Sequence, residues 1–387
     1  MAADAATSIN AFAIDFHRQA LATGNASNLV FSPASISMAF GMAFGGSNGE
    51  TAEELARAFH FPPAPRGDAA TIHHGFSGLL TDWDTLKQLE LTIANRLYGE
   101  QSEPIDPEFI EFTDSAYRAP LVTMDFRHDA DGSRRSINAW VAEQTRDRIV
   151  EVLPEGSVSS ETRLTLVNAI YFKAGWHRPF MPGKTRPQAF HTPRGDVEVP
   201  MMRSLMRSLA YAEDPDAGVD FVQLPYLGDR LAMLIVRPTE PTGLASVEAG
   251  LSEATLARWV ETLEDRSAMR AVQVGLPKFK LTPPSISLRK TLNAMGVHRA
   301  FEAHRAEFYG MLPGNKGLYI HDAYHQAFIE VDEQGTEAAA ATADMMVPTS
   351  MPQDPAEFIV DRPFLFFVRD RVSGAVLFMG RVVDPTA

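Results

Sequence analysis

The sequence predicts an α+β fold, helix-rich in its first third and strand-rich after residue 220. Three observations lead there. Apolar residues recur at helical spacing near the start, apolar and alternating runs fill the second half, and no composition break or low-complexity linker divides the 387 residues. One domain over 1–387 is therefore expected.

Taken in order, Phe12, Phe16 and Leu21 mark one face of a first helix, and Ile36 to Phe44 repeat that spacing. Thr51 and Glu54 have the spacing of a capping box for ETAEELARAF. The polar stretch PPAPRGD (62–68) breaks the pattern before a helix expected near 70–85. LELTIANRLYG then reads as a strand, and SINAWVAEQTRDRIVEVL (136–153) as an amphipathic helix. TLVNAIYF (165–172) is an apolar run suited to a strand buried on both faces. Strands follow from Asp220: FVQLPYL, RLAMLIVRP, AVQVGLPKFKL, LYIHDAYHQAFIEV, FLFFVRD and AVLFMGRVV. Helices near 253–264 and 285–295 interrupt them.

With 45% hydrophobic and 22% charged residues, the chain can bury a large core. A net charge of −14, and no basic run beyond two residues, argue against nucleic-acid, anionic-membrane or heparin partners. There is no cysteine, which excludes disulfides, thiol nucleophiles and cysteine-bound zinc and leaves the redox compartment open. No stretch approaches the roughly 20 apolar residues of a membrane span. The N-terminus lacks a basic start or apolar signal core, so either a cytoplasmic protein or an exported one with its signal removed fits.

Several motifs invite a catalytic reading and fail it. GGSNG (45–49) has the pattern of a nucleophile elbow around Ser47, but the segment before it is helical where an elbow needs a strand. A helix–helix loop using glycine is the simpler account. His73–His74, and His321 with His325, lack the carboxylate or cysteine support of a metal site, and no cofactor is expected. The two RGD triplets and the glycosylation pattern Asn25–Ala26–Ser27 read as surface turns.

One segment resists a bland reading. EQGTEAAAATADMMVPTS (333–350) lies between two strands, yet is small, nearly uncharged and free of proline until Pro348. As a strand it would place Thr336, Ala338, Ala340 and Thr342 on one face, small enough to slide between neighbours, with Gly335 as a pivot. An alanine-rich linker or short surface helix is the alternative.

EVDEQGTEAAAAT resembles the hinge of the serpins, the serine protease inhibitor family, and of its inhibitory members in particular. NLVFSPASISMAF (28–40), LTLVNAIYFKAGWHRPF (164–180), LPKFKL, the His325 strand and RPFLFFVRDRVSGAVLFMGRVVDPT are similar to further family blocks, in the same order. The resemblance implies the serpin fold: three β-sheets, eight or nine helices and an exposed reactive-centre loop at about 333–357. It implies a polar "shutter" of Ser32, Ser35, Asn168 and His325 beneath the central sheet's opening strands. It also implies a "breach" at Trp176, where Lys278 could pair with Glu333, and a hinge of Glu333, Gly335, Thr336, Glu337, Ala338, Ala339, Ala340, Ala341 and Thr342.

A serpin of the inhibitory type is a suicide substrate: a serine protease cleaves the loop, the hinge inserts as a new central strand, and the acyl-enzyme is trapped. The resemblance thus implies a metastable protein that is consumed once and is not an enzyme, a covalent complex with its target protease, and a monomer. Family spacing puts the reactive bond between Thr349 and Ser350, with Met345, Met346 and Met351 as alternative cleavage positions. A small, β-branched Thr349 suits the shallow apolar pockets of elastase-like or subtilisin-like proteases. Asp344 departs from the pattern, because insertion would turn its carboxylate inward. The rival reading is a non-inhibitory serpin that acts as a binding protein or chaperone, though such members usually spoil the hinge with bulky, charged or proline residues.

Overall fold

The computed structural model describes residues 2–22, 27–62, 70–314, 317–336 and 354–387. The apolar periodicity of the first third becomes a helical layer. In chain order it begins with α1 (Ala2–Ala22), β1 (Leu29–Phe31), α2 (Pro33–Gly46), α3 (Gly49–Phe59) and α4 (Ala70–Asp84). Next come β2 (Leu89–Glu100), α5 (Pro107–Tyr117), β3 (Val122–Met124), α6 (Phe126–Gln144) and β4 (Leu164–Gly175). A hairpin follows, β5 (Arg186–Thr192) and β6 (Gly195–Asp214), then β7 (Val219–Pro225), β8 (Leu231–Pro238), α7 (Leu244–Gly250) and α8 (Glu253–Glu264). The remainder is β9 (Met269–Pro277), β10 (Phe279–Leu281), β11 (Ile286–Ser287), α9 (Arg289–Ala294), β12 (Ile320–Val331), β13 (Gly335–Thr336), β14 (Ala356–Ile359), β15 (Phe364–Asp370) and β16 (Val376–Val382).

Hydrogen bonding joins the strands into two ladders among the described residues. One has nine strands, in the order β1-β16-β15-β8-β7-β6-β9-β14 with β5 paired to β6; the other has seven, in the order β10-β12-β13-β4-β2-β3 with β11 on β12. The expected third sheet is fused to its neighbour through β6. That strand pairs β5 and most of β9 along its first half, shifts register between Met206 and Leu209, and pairs β7 with its last residues. AVQVGLPKFKL splits likewise: β9 belongs to the nine-stranded ladder and β10 to the seven-stranded one. Lys278 sits at the crossing, its amide donating to Pro200 O at 3.0 Å.

β4 meets its expectation, with every residue buried except the half-buried Lys173. Its inward side chains (Leu164, Leu166, Ile170, Phe172, Ala174) join the main core with α1, α2, β15 and β16. Its opposite face (Val167, Ala169, Tyr171) belongs to a second, smaller core with Phe126, Ile137, Val141, Leu153 and Phe328 beneath α6.

Two local expectations are corrected. The helix read at 136–153 runs instead from Phe126 to Gln144. Asp125 caps its start by accepting from His128 N at 3.0 Å, and Arg146 and Asp147, at φ 52° and 58°, turn the chain after its end. Residues 145–153 fold back, with Asn138 exchanging two 2.9 Å hydrogen bonds with the Leu153 backbone. The Thr51–Glu54 capping box is also absent: α3 starts at Gly49, so Thr51 lies inside the helix. Glu307 supplies the cap, accepting from Glu50 N at 2.8 Å and from Thr51 N at 3.4 Å. Glu54 instead accepts from His298 N and Arg299 N, both at 2.8 Å.

Candidate functional site

The seven-stranded ladder contains a wedge. β4 and β12 lie side by side and parallel from Leu164–Ile320 up to Tyr171–Phe328. Above that level they part, and β13 fills the gap, antiparallel to both, with Thr336 opposite Val331 on one side and Ala174 on the other. The chain turns from β12 into β13 within four residues. Asp332 fixes this turn: its amide donates to Gly335 O at 2.8 Å, and its Oδ1 accepts from the amides of Gln334 and Gly335. Gly335 is required by crowding, since a Cβ there would stand 2.1 Å from Ala174 O.

Around the wedge, the candidate breach residues converge. The Trp176 indole stacks on Tyr226 with ring centroids 4.6 Å apart and donates through Nε1 to Asp332 O at 3.0 Å. Its amide donates to Gln334 O at 2.8 Å. Tyr226 Oη lies 2.7 Å from Thr336 Oγ1, and neither residue is exposed. Glu333 accepts from Lys278 Nζ and from Thr185 Oγ1, each at 2.8 Å. Partial burial pushes the Glu333 carboxyl up, but Lys278 and Thr185 outweigh it and hold the group below the usual range. The expected Lys278–Glu333 pair is therefore formed.

Lower on the same strands the four candidate shutter residues meet, with one addition. Ser32, the N-cap of α2, accepts from Ser35 N through Oγ at 3.1 Å. Its own amide donates to His325 Nε2 at 3.1 Å. That leaves the imidazole proton on Nδ1, where it is donated to Asn168 Oδ1. Asn168 Nδ2 donates to Ser35 Oγ at 2.6 Å and to Asn95 Oδ1; Asn95 Nδ2 returns a bond to Ser35 O at 3.0 Å. Burial pushes the His325 imidazole down to about 3. A second proton would also have to enter against the Ser32 N–H, so the ring stays neutral.

Asn95, Tyr226 and Thr185 were not anticipated from the sequence. Asn95 alone carried a signal, a polar residue in the apolar strand LELTIANRLYG. The hinge residues Glu337, Ala338, Ala339, Ala340, Ala341 and Thr342 lie outside the described residues, as do Asp344, Met345, Met346, Thr349, Ser350 and Met351. Ser47 is the buried C-cap of α2, its hydroxyl donating to Phe44 O at 2.7 Å, which fits the loop reading of GGSNG. Among the described residues no three His, Asp or Glu side chains form a metal cluster, and no helix is long and apolar enough to cross a membrane.

A family model described as Serpin (serine protease inhibitor) matches residues 7–385. Human leukocyte elastase inhibitor is 37% identical over 380 residues, 97% of each chain. Among solved structures, human thyroxine-binding globulin complexed with thyroxine is 30% identical at a TM-score of 0.87, covering 100% of both chains. Uncleaved ovalbumin is 27% identical at a TM-score of 0.86, covering 98% of this chain and 99% of its own. These matches correct one expectation. The bare negative "not an enzyme" gives way to what the family model and the relatives describe, a serine protease inhibitor. Inhibitor is the description that stands.

Proposed function

The chain belongs to the serpin family of serine protease inhibitors, and on that premise we propose that it traps its target by cleavage and insertion of residues 333–357. The wedge at Thr336 carries this reading. A strand already begun between β4 and β12, above a closed stretch of the same two strands, is the geometry from which a loop can continue inward. Every non-proline residue from Glu337 to Val347 brings an amide that can join the ladder.

In this reading Lys278, Glu333, Trp176 and Tyr226 set the entry point, and Ser32, Ser35, Asn95, Asn168 and His325 are the contacts exchanged as the strands part. The protease attacks the Thr349–Ser350 bond, and elastase-like or subtilisin-like enzymes are the targets. The elastase inhibitor named among the relatives supports the former. The protein works as a monomer and as one domain.

Incubation with elastase- and subtilisin-type proteases, followed by denaturing electrophoresis and mass spectrometry, tests the proposal. A denaturant-resistant complex and a released peptide beginning at Ser350 are expected; no complex across a broad protease panel refutes it. A carrier role is the second reading, favoured by the likeness to a thyroxine-binding relative. Thr336→Arg separates them, since it turns an inhibitor into a cleaved substrate and leaves a carrier's ligand affinity in place.

A further inference from the structure

Positive charge is distributed unevenly over this acidic chain. Six basic and two acidic residues lie between 177 and 207, so a molecule of net charge −14 holds a local excess of +4 there. The fold adds Arg270 from β9 to this stretch, because β9 pairs along β6. Leaving aside Arg207, Arg178, Lys184, Arg186, Arg194 and Arg270 are exposed and Arg203 is half-buried, and none of these named six has a carboxylate partner among the described residues. Arg178 and Arg186 reach only backbone oxygens, Ser208 O at 3.4 Å and Thr185 O at 2.7 Å. Arg203 donates to Gln188, and Arg270 lies over the Tyr211 ring at 5.4 Å. Elsewhere the arginines are commonly matched: Arg134, Arg230, Arg237, Arg369 and Arg381 each meet an Asp or Glu. Of the acids on the same strands, Asp196 is held by His191, Glu213 accepts from Tyr211 and Asp214 pairs with Arg258, while Glu198 and Glu357 are exposed.

The position of this face gives it meaning. Lys184 and Arg186 flank Thr185, which bonds Glu333 at the start of the loop. The far end of the loop returns at β14, where Ile359 pairs with Gly275, and Gly275 pairs with Arg203. At about 4.8 Å per strand, Arg203 lies roughly 10 Å from the returning chain. A typical protein–protein contact buries about 800 Å² on each side, so a protein seated on the loop reaches these side chains. Resting on the reading that a serine protease engages this loop, we propose that the basic face is a docking surface selecting proteases whose surface around the cleft is acidic. Unpaired cations that repel one another gain from an acidic partner, and with a screening length of about 8 Å the local charge rather than the net −14 acts at contact.

The test uses two forms of one subtilisin-type protease, its cleft-rim carboxylates intact or replaced by lysine, with association rates measured from low to high salt. The acidic form should associate about tenfold or more faster at low salt, the difference collapsing as salt rises. Arg186→Glu with Arg194→Glu should remove that advantage, while Arg57→Glu, on the distant α3, should not. Equal, salt-independent rates for both forms overturn the proposal while leaving inhibition itself intact. So does retention on heparin that the double variant loses without any change in protease rates, which would mark a glycan site. Failure to form a complex with any protease sinks the inhibitory reading instead.

Discussion

Asp344 offers a test whose size can be worked out from the ladder. β13 is antiparallel to both neighbours, with Thr336 opposite Ala174 and Val331. Continuing that register brings Thr342 level with Asn168 and His325, where a hydroxyl finds polar company. Two residues on, Asp344 arrives level with Leu166 and Ala323, each 1% exposed and part of the main core. A carboxyl there takes up a proton rather than remain charged. From an ordinary value of 3.9, holding it neutral costs about 4 kcal/mol at pH 7 and about 1.5 kcal/mol at pH 5. Its value is raised in the inserted state, so the penalty is absent below the ordinary value and grows as pH rises. Loop-cleaved protein should therefore melt at higher temperature at pH 5 than at pH 8, and Asp344→Ala should abolish that difference. The variant should also insert faster and lower the inhibition stoichiometry at pH 8. If wild type and variant share the same melting, rate and stoichiometry from pH 5 to 8, the register argument is wrong.

Three further outcomes are expected. His325, held to about 3 by burial, binds fewer protons folded than unfolded between pH 6.5 and 3. This group alone should remove about 1.4 kcal/mol of stability per pH unit across that window, a slope that denaturant titration of His325→Gln should lack. Lys278→Ala unpairs Glu333 and should lower the thermal midpoint by a degree or two near neutrality, as for a pair worth about 1 kcal/mol. Because the Glu333 value is depressed in the fold, its contribution is present above the ordinary carboxylate value and lost as pH falls through the folded one, so variant and wild type should converge in acid. Tyr226→Phe leaves the buried Thr336 hydroxyl without its 2.7 Å partner and should cost about 1–2 kcal/mol. Limited proteolysis should find residues near Thr336 more accessible in that variant.

Much of the fold was legible because burial writes itself into the sequence at period 3.6 or 2. The apolar run at 165–172 had to be a central strand, and the helix at 253–264 is found as expected. The β5–β6 hairpin was not foreseen, since Pro187, Pro193 and Pro200 and the interspersed arginines mask its alternation. The Thr51–Glu54 spacing misled because a distant carboxylate, Glu307, took the capping role that local sequence assigned to Glu54. At the candidate site, Trp176, Lys278, Asn168 and His325 were found through resemblance to known blocks. Tyr226 and Thr185 look ordinary in sequence, and only the tertiary packing brings them to the hinge. The basic face was half legible, since the excess of +4 at 177–207 stands in the sequence without any run of more than two adjacent basic residues, and only the sheet adds Arg270.

The small core beneath α6 has a mechanical consequence. Its fourteen buried members share none with the main core, and Asn138 clasps the following segment to the helix through two hydrogen bonds at Leu153. Helix and return segment are thus fastened to each other, and rest together on the outer face of β2, β4 and β12. They form a hatch over the strands that would have to part, one able to lift as a unit without disturbing the interior. Native-state hydrogen exchange should register this as a single opening of lower free energy for residues 126–158 than for β15 and β16.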